Sequence, residues 1–220
     1  MILTAANPAL VKAVTIHPKA KRSPTETTML KSVADNKKMG RKQTAVMKGK
    51  WAGKPMFQLS LEERSTCPST CKQWASCYGN NMAFNHRIDH THPDFYSMLE
   101  AEIVCLSARY SQGYVLRLHT LGDFFSADYT EFWIRMTHEH PRMHIFGFTH
   151  HFRDGPIGRL VEAWNESPRV WVRFSDQDGP MTATVDGPGI PCPQQIGKTE
   201  SCLTCSLCWA TTKAISFKHH

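Results

Sequence analysis

The sequence predicts an α/β protein: a partial (β/α) barrel or a curled parallel sheet, followed by a cysteine-rich, metal-binding C-terminal tail. Short apolar runs typical of strands alternate with amphipathic segments of helical period. Seven of the eight cysteines also stand in two tight groups. The length of 220 residues, with 41% hydrophobic and 20% charged residues, is typical of a globular protein with a substantial core.

The alternation begins with a mainly apolar run at residues 56–61, which predicts a strand. Residues 94–110 predict a helix, because their apolar side chains recur at a 3.6-residue period and Pro93 suits a first turn. A second strand is predicted over residues 114–119. The order strand, helix, strand is typical of a parallel βα unit.

A second helix is expected to begin after Ser126, a residue type that caps helix N-termini, and to end before Pro141. A strand at residues 143–149, a helix ending before Pro168 and a strand at residues 169–175 follow. Four strands are too few for a closed eight-stranded barrel, so a partial barrel or an open sheet is expected. In both, ligands bind at the carboxyl ends of the strands.

Three regions are predicted: a basic N-terminal arm (residues 1–50), an α/β body that carries a three-cysteine loop (51–190) and a four-cysteine tail (191–220). Residues 1–54 hold 12 of the 26 Lys and Arg but two of the 19 Asp and Glu, a net charge of +10 against −3 for the remainder. We expect the arm to be extended, and either to wrap the body or to contact nucleic acid.

The composition also predicts a location. No apolar run approaches the roughly 20 residues of a membrane helix, and the N-terminus lacks the pattern of a signal peptide. A cytoplasmic protein without a membrane partner is therefore expected. In that compartment the cysteines are better interpreted as thiols and metal ligands than as disulfides.

Cys67, Cys71 and Cys77 form the first cysteine group. Three thiolates from one loop can ligate three irons of a [4Fe–4S] cluster and leave the fourth iron open to a small molecule. The alternative is zinc with a fourth ligand such as His86 or His90. The spacing leaves both metals open, and the strand–helix organisation of the chain favours iron–sulfur.

The second group is a complete set of four: Cys192, Cys202, Cys205 and Cys208. Its three cysteines at three-residue intervals resemble the iron–sulfur runs of bacterial ferredoxins, with Cys192 as a remote fourth ligand. Zinc is the alternative at this closed site. The eighth cysteine, Cys105, lies in the first helix of the body and is expected to be a small core residue.

Polar residues follow the predicted strand ends. Gly122 and Asp123 follow the second strand, residues 149–151 close the third, and Ser175 and Asp176 close the fourth. Parallel strands end at the same edge of a sheet, so we expect these residues to meet the first cysteine loop on one rim. Three histidines at strand ends could also reach the site: His119, His150 and His151.

Several long motifs occur together in this chain. Leu-Ser-Leu-Glu-Glu-Arg-Ser-Thr-Cys-Pro occupies residues 59–68, and further motifs lie at 76–82, 117–126 and 197–202. Together they resemble the phage- and plasmid-borne gene product 88-like family, over roughly residues 40–218. The resemblance implies a phage or mobile-element origin, and hence the host cell cytoplasm, more than it implies a reaction.

A wider resemblance is to radical S-adenosylmethionine enzymes, which have a three-cysteine loop after the first strand of a partial (β/α) barrel and a Gly-Gly-Glu-like motif after the second. Here the cysteine loop and Gly122–Asp123 follow in the same order. Asp takes the place of Glu, and five residues rather than two separate Cys71 from Cys77. The four-cysteine tail would match the auxiliary clusters of some members.

The resemblance implies an enzyme that uses an open-iron [4Fe–4S] cluster and S-adenosylmethionine, with an electron donor as partner and an unidentified substrate. It implies that Gly122 and Asp123 contact the cosubstrate. Three further candidates for its carboxylate or ribose are Arg173, Ser175 and Asp176. The alternatives are a non-radical iron–sulfur enzyme that binds substrate at the open iron, or a nucleic-acid-binding regulator with structural or redox-sensing clusters or zinc.

Overall fold

An eight-stranded, mostly parallel sheet forms the centre of the computed structural model, which describes residues 1–219. Within this range the strands in chain order are β1 Lys21–Arg22, β2 Lys31–Ser32, β3 Met56–Gln58, β4 Arg87–Ile88, β5 Tyr114–Leu118, β6 Met143–Thr149, β7 Val170–Ser175, β8 Thr182–Val185, β9 Ile190–Pro191 and β10 Ile215–Phe217. The α-helices are α1 Pro8–Val11, α2 Phe95–Arg109, α3 Ala127–Glu139, α4 Pro156–Trp164 and α5 Cys202–Cys205.

The strand order in the large sheet is β2-β3-β5-β6-β7-β8-β10-β9, and β2 alone pairs antiparallel with its neighbour. The order runs from one edge strand to the other, so the sheet is open and does not close into a barrel. A separate two-stranded parallel sheet joins β1 and β4. The fold class is therefore mixed α/β, as the sequence predicts. None of the helices within residues 1–219 has both the length and the apolar character that crossing a membrane requires.

The predicted βα units are confirmed. Helix α2 spans Phe95–Arg109 against an expected 94–110, and strands β5, β6 and β7 lie within one residue of their predicted bounds. The hydroxyl of Ser126 caps α3 by accepting a hydrogen bond from the Tyr129 N–H at 3.1 Å. Local signals are sufficient here because each unit combines a helix with a regular apolar period and a buried apolar strand.

Helices α2, α3 and α4 cover one face of the sheet. Alternate side chains of β5, those of Tyr114, Leu116 and Leu118, point into this helix-side core and pack with residues such as Leu99 and Trp133. The two-residue period of a strand sends the intervening side chains to the opposite face. Strand β5 is nearly all buried, which indicates that both faces of the sheet are covered.

The second face is covered by the N-terminal arm and the C-terminal tail instead of helices. Val115 and Phe146 of the sheet pack there with Val33 of the arm, with Trp51 directly after the arm, and with Trp209 of the tail. The rings of Trp51 and Trp209 stack with their centroids 5.9 Å apart. Residues 1–50 therefore wrap the body, which was one of the two roles expected for the arm.

Two features of the fold differ from expectation or extend it. Strands β2, β8, β9 and β10 add to the four predicted strands of the large sheet, and they were missed because they are short and partly polar. Cys105, expected in the core, is exposed. The buried side chains of α2 are those of Phe95, Leu99 and Ile103, and Cys105 lies off the stripe they form.

Candidate functional site

A cavity of about 430 Å³ lies at the carboxyl ends of the central strands, under the arm and the tail. The cysteines that line it come from both groups: Cys67, Cys71, Cys77, Cys202 and Cys208. The strand-end residues in its wall include Gly122, Asp123, His150, Ser175 and Asp176. Most of the residues expected on one rim therefore meet at the cavity, although Thr149 and His151 do not line it, and the cavity also reaches the second cysteine group.

The three cysteines of the first group are half-buried and lie near enough to influence one another electrostatically. Burial raises the pKa of Cys67 well above its usual range, and the negative charge of Asp123 adds to the effect. Burial likewise raises the pKa of Cys71 to about 12 and also raises that of Cys77. Without a cation these cysteines are neutral thiols, so a thiolate role here depends on the positive charge of a bound metal.

The second group is built around the short helix α5. Ser201 caps it in a reciprocal capping box with Thr204. Burial raises the pKa of Cys202 to about 11, opposed by the positive charges of Arg117 and Lys38, and raises that of Cys208 to about 12. Cys192 and Cys205 also influence the thiols of Cys202 and Cys208 electrostatically, so the four cysteines lie near one another.

The arm anchors this second group. The N–H groups of Cys202 and Leu203 donate to the carbonyl oxygens of Lys38 and Met39 at 2.9 and 3.1 Å. The Ser206 hydroxyl donates to the carbonyl of Lys48 at 3.0 Å. The arm and the tail are therefore joined by hydrogen bonds along the cavity wall.

Neither group has the arrangement of a single-ion site. Within residues 1–219, no three His, Cys, Asp or Glu side chains are grouped so that they could hold one metal ion. His86 and His90, the alternative zinc ligands, are not among the residues that line the cavity. His86 Nδ1 lies 2.5 Å from Lys31 Nζ, and the ring of His90 packs 4.7 Å from that of Phe125.

A buried ion pair supports the first cysteine loop. Arg87 donates from Nε to Glu63 Oε2 at 2.7 Å and from Nη2 to Oε1 at 3.0 Å, and both side chains are at most 1% exposed. Arg87 also donates to the carbonyl oxygens of Gly79, Met82 and Asn85, just after Cys77. One guanidinium therefore fixes the segment that leaves the loop.

Arg64 performs the same task in the middle of the loop. Its side chain, 2% exposed as a residue, donates to the Trp74 carbonyl at 3.1 Å and to Asn80 Oδ1 at 2.5 Å. Asn80 in turn donates to the carbonyl of Ala75 at 3.0 Å. Sequence reasoning missed this support. The available signal was the Glu62-Glu63-Arg64 run between an apolar strand and the first cysteine.

Gly122 stands at a position that other residues fit poorly. Its φ is +85°, and a Cβ there would lie 2.5 Å from Thr66 Oγ1 and 2.7 Å from Leu61 Cβ. The glycine thus lets the turn after β5 pass directly beside the start of the cysteine loop.

Replacing Gly122 with alanine is expected to lower the free energy of unfolding by about 2–4 kcal/mol, as left-handed strain and overpacking add. The matched control is Gly53→Ala, since Gly53 has φ +81° and a Cβ added there would have nothing within 4 Å. That variant should show only the backbone strain, about 1–2 kcal/mol. Urea unfolding measures both, and equal losses would contradict close packing at Gly122.

Asp123 is 2% exposed, and both its carboxylate oxygens accept main-chain hydrogen bonds. Oδ1 accepts from the Phe124 N–H and Oδ2 from the His150 N–H, each at 2.8 Å. Asp123 therefore ties the end of β5 to the end of β6 while it lines the cavity. A contact from it to a cosubstrate stays a prediction.

Asp176 lies on the same wall, in the left-handed backbone region at φ +55°. Its Oδ1 accepts from the Val185 N–H at 3.3 Å, and its Oδ2 lies 3.8 Å from His150 Nε2. Ser175 precedes it and also lines the cavity. These two candidates are thus placed where a ligand in the cavity would meet them.

Arg173 alone among the expected cofactor-binding residues does not line the cavity described within residues 1–219. Its guanidinium is fully buried and donates to the carbonyl oxygens of the tail and β8: Thr182, Cys208, Thr211 and Lys213. The two-residue period of β7 places Arg173 on the second face, beneath the tail and away from the strand end. It fastens the tail to the sheet.

Two of the three strand-end histidines line the cavity and one does not. His119 and His150 line the cavity. Burial, with a further contribution from the charge of Arg117, lowers the pKa of His119 to about 3, so this imidazole is neutral at pH 7. His151 Nε2 lies 2.6 Å from the Phe124 carbonyl, and His151 is not part of the cavity wall.

An open parallel sheet with a thiol-lined cavity at its strand ends defines an α/β protein whose candidate site combines two cysteine groups with charged loop residues. The chain belongs to the Gene product 88 family, whose profile matches residues 28–187. No curated protein and no solved structure gives a significant match. The matched range contains the first cysteine group and the strand ends around it, and the second group lies beyond it.

Proposed function

We propose that this protein is an iron–sulfur enzyme of phage or mobile-element type, with chemistry like that of radical S-adenosylmethionine enzymes. The observation that carries the proposal is that both cysteine groups open onto one cavity at the strand ends. A purely structural metal would not need to face a cavity large enough for a small molecule. The proposal includes that the large sheet curls as in a partial barrel and that the cavity lies on the inner side of this curl.

The cysteines divide into two ligand sets. Cys67, Cys71 and Cys77 would hold one [4Fe–4S] cluster through three of its irons. The four cysteines of the tail would hold a second cluster completely: Cys192, Cys202, Cys205 and Cys208. When bound, a cluster with one iron lacking a cysteine supplies one-electron chemistry and a coordination position for a small molecule.

The donor sets supply the soft thiolates that iron–sulfur clusters take, three in one set and four in the other. Zinc, with Zn–S bonds of about 2.3 Å, requires its sulfur ligands to converge on one point. The side chains within residues 1–219 show no such convergence. A cubane takes one thiolate on each iron, so its ligands stand further apart. Because burial raises the pKa values of Cys71 and Cys208, these thiols need a compensating positive charge to ionise.

The chain's own residues would bind and orient the cosubstrate. Gly122 allows the turn to approach the cysteine loop closely, and Asp123, Ser175 and Asp176 offer polar groups in the same wall. The arm and tail cover the cavity and exclude water from it. Arg173 is better assigned to holding the tail. An electron donor is the expected partner.

A non-radical reaction at the open iron uses the same residues and is the closest alternative. The basic arm favours a second candidate, a nucleic-acid-binding regulator. Several of its basic side chains are exposed although the arm is packed: Lys12, Lys19, Lys37, Arg41, Lys42, Lys48 and Lys50. A surface of this kind attracts phosphate backbones. The arm also forms part of the cavity wall through Lys38, which links it to the proposed enzyme as well.

The test is the metal content and reactivity of anaerobically purified protein. We expect a brown protein with iron and acid-labile sulfide in about equal amounts, near two clusters per chain if both ligand sets are filled. Under a strong reductant, S-adenosylmethionine should perturb the spectrum of the reduced protein and yield 5′-deoxyadenosine slowly.

Stoichiometric zinc without labile sulfide would reject the iron–sulfur proposal. A fully loaded, reduced protein that neither binds nor cleaves S-adenosylmethionine would reject the radical reaction alone, and would favour direct substrate binding at the open iron.

A further inference from the structure

Three buried polar atoms in the cavity wall have no hydrogen-bond partner within residues 1–219. They are Arg117 Nε, His119 Nδ1 and Asp176 Oδ2. Leaving a buried polar group unsatisfied costs about 1–3 kcal/mol, so such groups in a native protein usually have a partner in solution. Three of them around one cavity indicate that a polar molecule occupies it.

Arg117 is the most informative of the three. It projects from β5 onto the second face, and its guanidinium carbon lies 5.3 and 5.2 Å from the ring centroids of Phe146 and Phe148. The phenol of Tyr78 is its hydrogen-bonded neighbour, and burial keeps that phenol neutral by raising its pKa. The aromatic floor and the phenol hold the guanidinium in place without cancelling its charge.

No carboxylate forms an ion pair with Arg117 in the part of the chain that the structure describes. Two fully buried arginines near the site are used differently. Arg87 is paired with Glu63, and Arg173 is saturated by carbonyl oxygens. Arg117 is thus a charged group at the cavity that has no carboxylate counterion within residues 1–219.

We propose that the cavity binds a small molecule through an anionic group, a carboxylate or a phosphate, that pairs with Arg117. A guanidinium presents planar, paired donors that match the oxygens of either group. His119 Nδ1 and Asp176 Oδ2 are then available to the polar groups of the same molecule. This inference rests on the proposed function of the cavity and adds the chemical class of its ligand.

The experiment uses full-length, anaerobically purified, metal-loaded protein. Inorganic phosphate and malonate are titrated separately by calorimetry, in sodium chloride of matched ionic strength. We expect saturable binding of at least one of them, and the preferred anion identifies which group the site takes. Arg117→Gln should raise the dissociation constant at least tenfold, and Arg117→Lys should do so less because it keeps the charge without the paired donors.

The matched control is Arg135→Gln. Arg135 is exposed, and its guanidinium carbon also lies over an aromatic ring, 5.5 Å from the centroid of Phe132. This variant makes the same chemical change outside the cavity and should bind both anions like the wild type. Circular dichroism should show that all the variants keep the fold.

The inference is overturned if the wild type and Arg117→Gln bind the anions equally, or if the wild type binds neither anion. So would loss of iron in Arg117→Gln, which would make Arg117 the counterion of the metal–thiolate centre. Iron and labile sulfide are assayed in every sample. Anion binding without iron–sulfur would reject the proposed function alone, and iron–sulfur without anion binding would reject this inference alone.

Discussion

Replacing Arg87 with alanine is expected to lower the free energy of unfolding by about 3–5 kcal/mol at pH 7, because the buried carboxylate of Glu63 loses its hydrogen-bonded cation and keeps only Arg64 Nη1, 3.9 Å from its Oε1. The two side chains are at most 1% exposed and joined by two hydrogen bonds. Urea unfolding of the full chain measures the loss. Arg142→Ala, at an exposed arginine, is the control and should change the value by no more than about 0.5 kcal/mol.

The loss should depend on pH in a direction set by Glu63. Burial raises the pKa of Glu63, but the hydrogen bonds and charge of Arg87, with the Thr15 hydroxyl, outweigh it, so the pKa lies below the usual 4.5. The stabilisation is therefore complete well above pH 4.5 and is lost as the pH falls through the lower folded-state value.

In Arg87→Ala, burial is the dominant influence on the pKa of Glu63 and favours the protonated carboxyl group. The difference in the free energy of unfolding between variant and wild type should therefore shrink on acidification. The double variant Glu63→Gln/Arg87→Ala should lose less than the sum of the single losses. A difference that stays the same from pH 7 to pH 4 would show that Arg87 acts through packing rather than charge.

Replacing Cys205 with serine is expected to remove about half of the iron and labile sulfide from the anaerobic protein, because it breaks the complete four-cysteine set of the tail. Cys71→Ser should remove the other half. Cys205→Ser should also destabilise the fold, since a closed metal site contributes directly to folding. Iron and sulfide assays, with thermal unfolding, measure both effects.

Cys105→Ser is the matched control, since Cys105 is exposed on α2 and belongs to neither group. It should keep the full iron content. If Cys71→Ser, Cys205→Ser and Cys105→Ser all carry the same metal as the wild type, the assignment of the two ligand sets fails.

The sequence predicts the central βα units well, because their signals are local. Ser126 as a cap, the apolar period of α2 and the apolar strands β5 to β7 each identify an element without knowledge of the rest of the chain. The meeting of strand-end residues follows from these units by a general property of parallel sheets.

The remainder of the site depends on contacts between distant residues. Glu63 and Arg87 are 24 residues apart, and in sequence each is an ordinary charged residue that would be placed on the surface. Arg117 lies in the apolar strand β5, and a charged residue within such a strand was the one signal in the sequence for its place at the site. The net charge of the arm leaves open whether it wraps the body or contacts nucleic acid, while its sparse apolar residues, such as Val33 and Val46, decide where it packs.

The joining of arm and tail has a consequence for the order of events during synthesis. The hydrogen bonds from Ser201 to Gln43 and from Ser206 to Lys48 each span 158 residues, most of the chain. Contacts of such high sequence separation form late, and on a ribosome they must wait until the tail has been translated. Until then the nascent chain presents Val115 and Phe146 without the tail's Trp209 against them. A chain that terminates before the tail would therefore expose apolar residues on the second face of the sheet and be prone to aggregation.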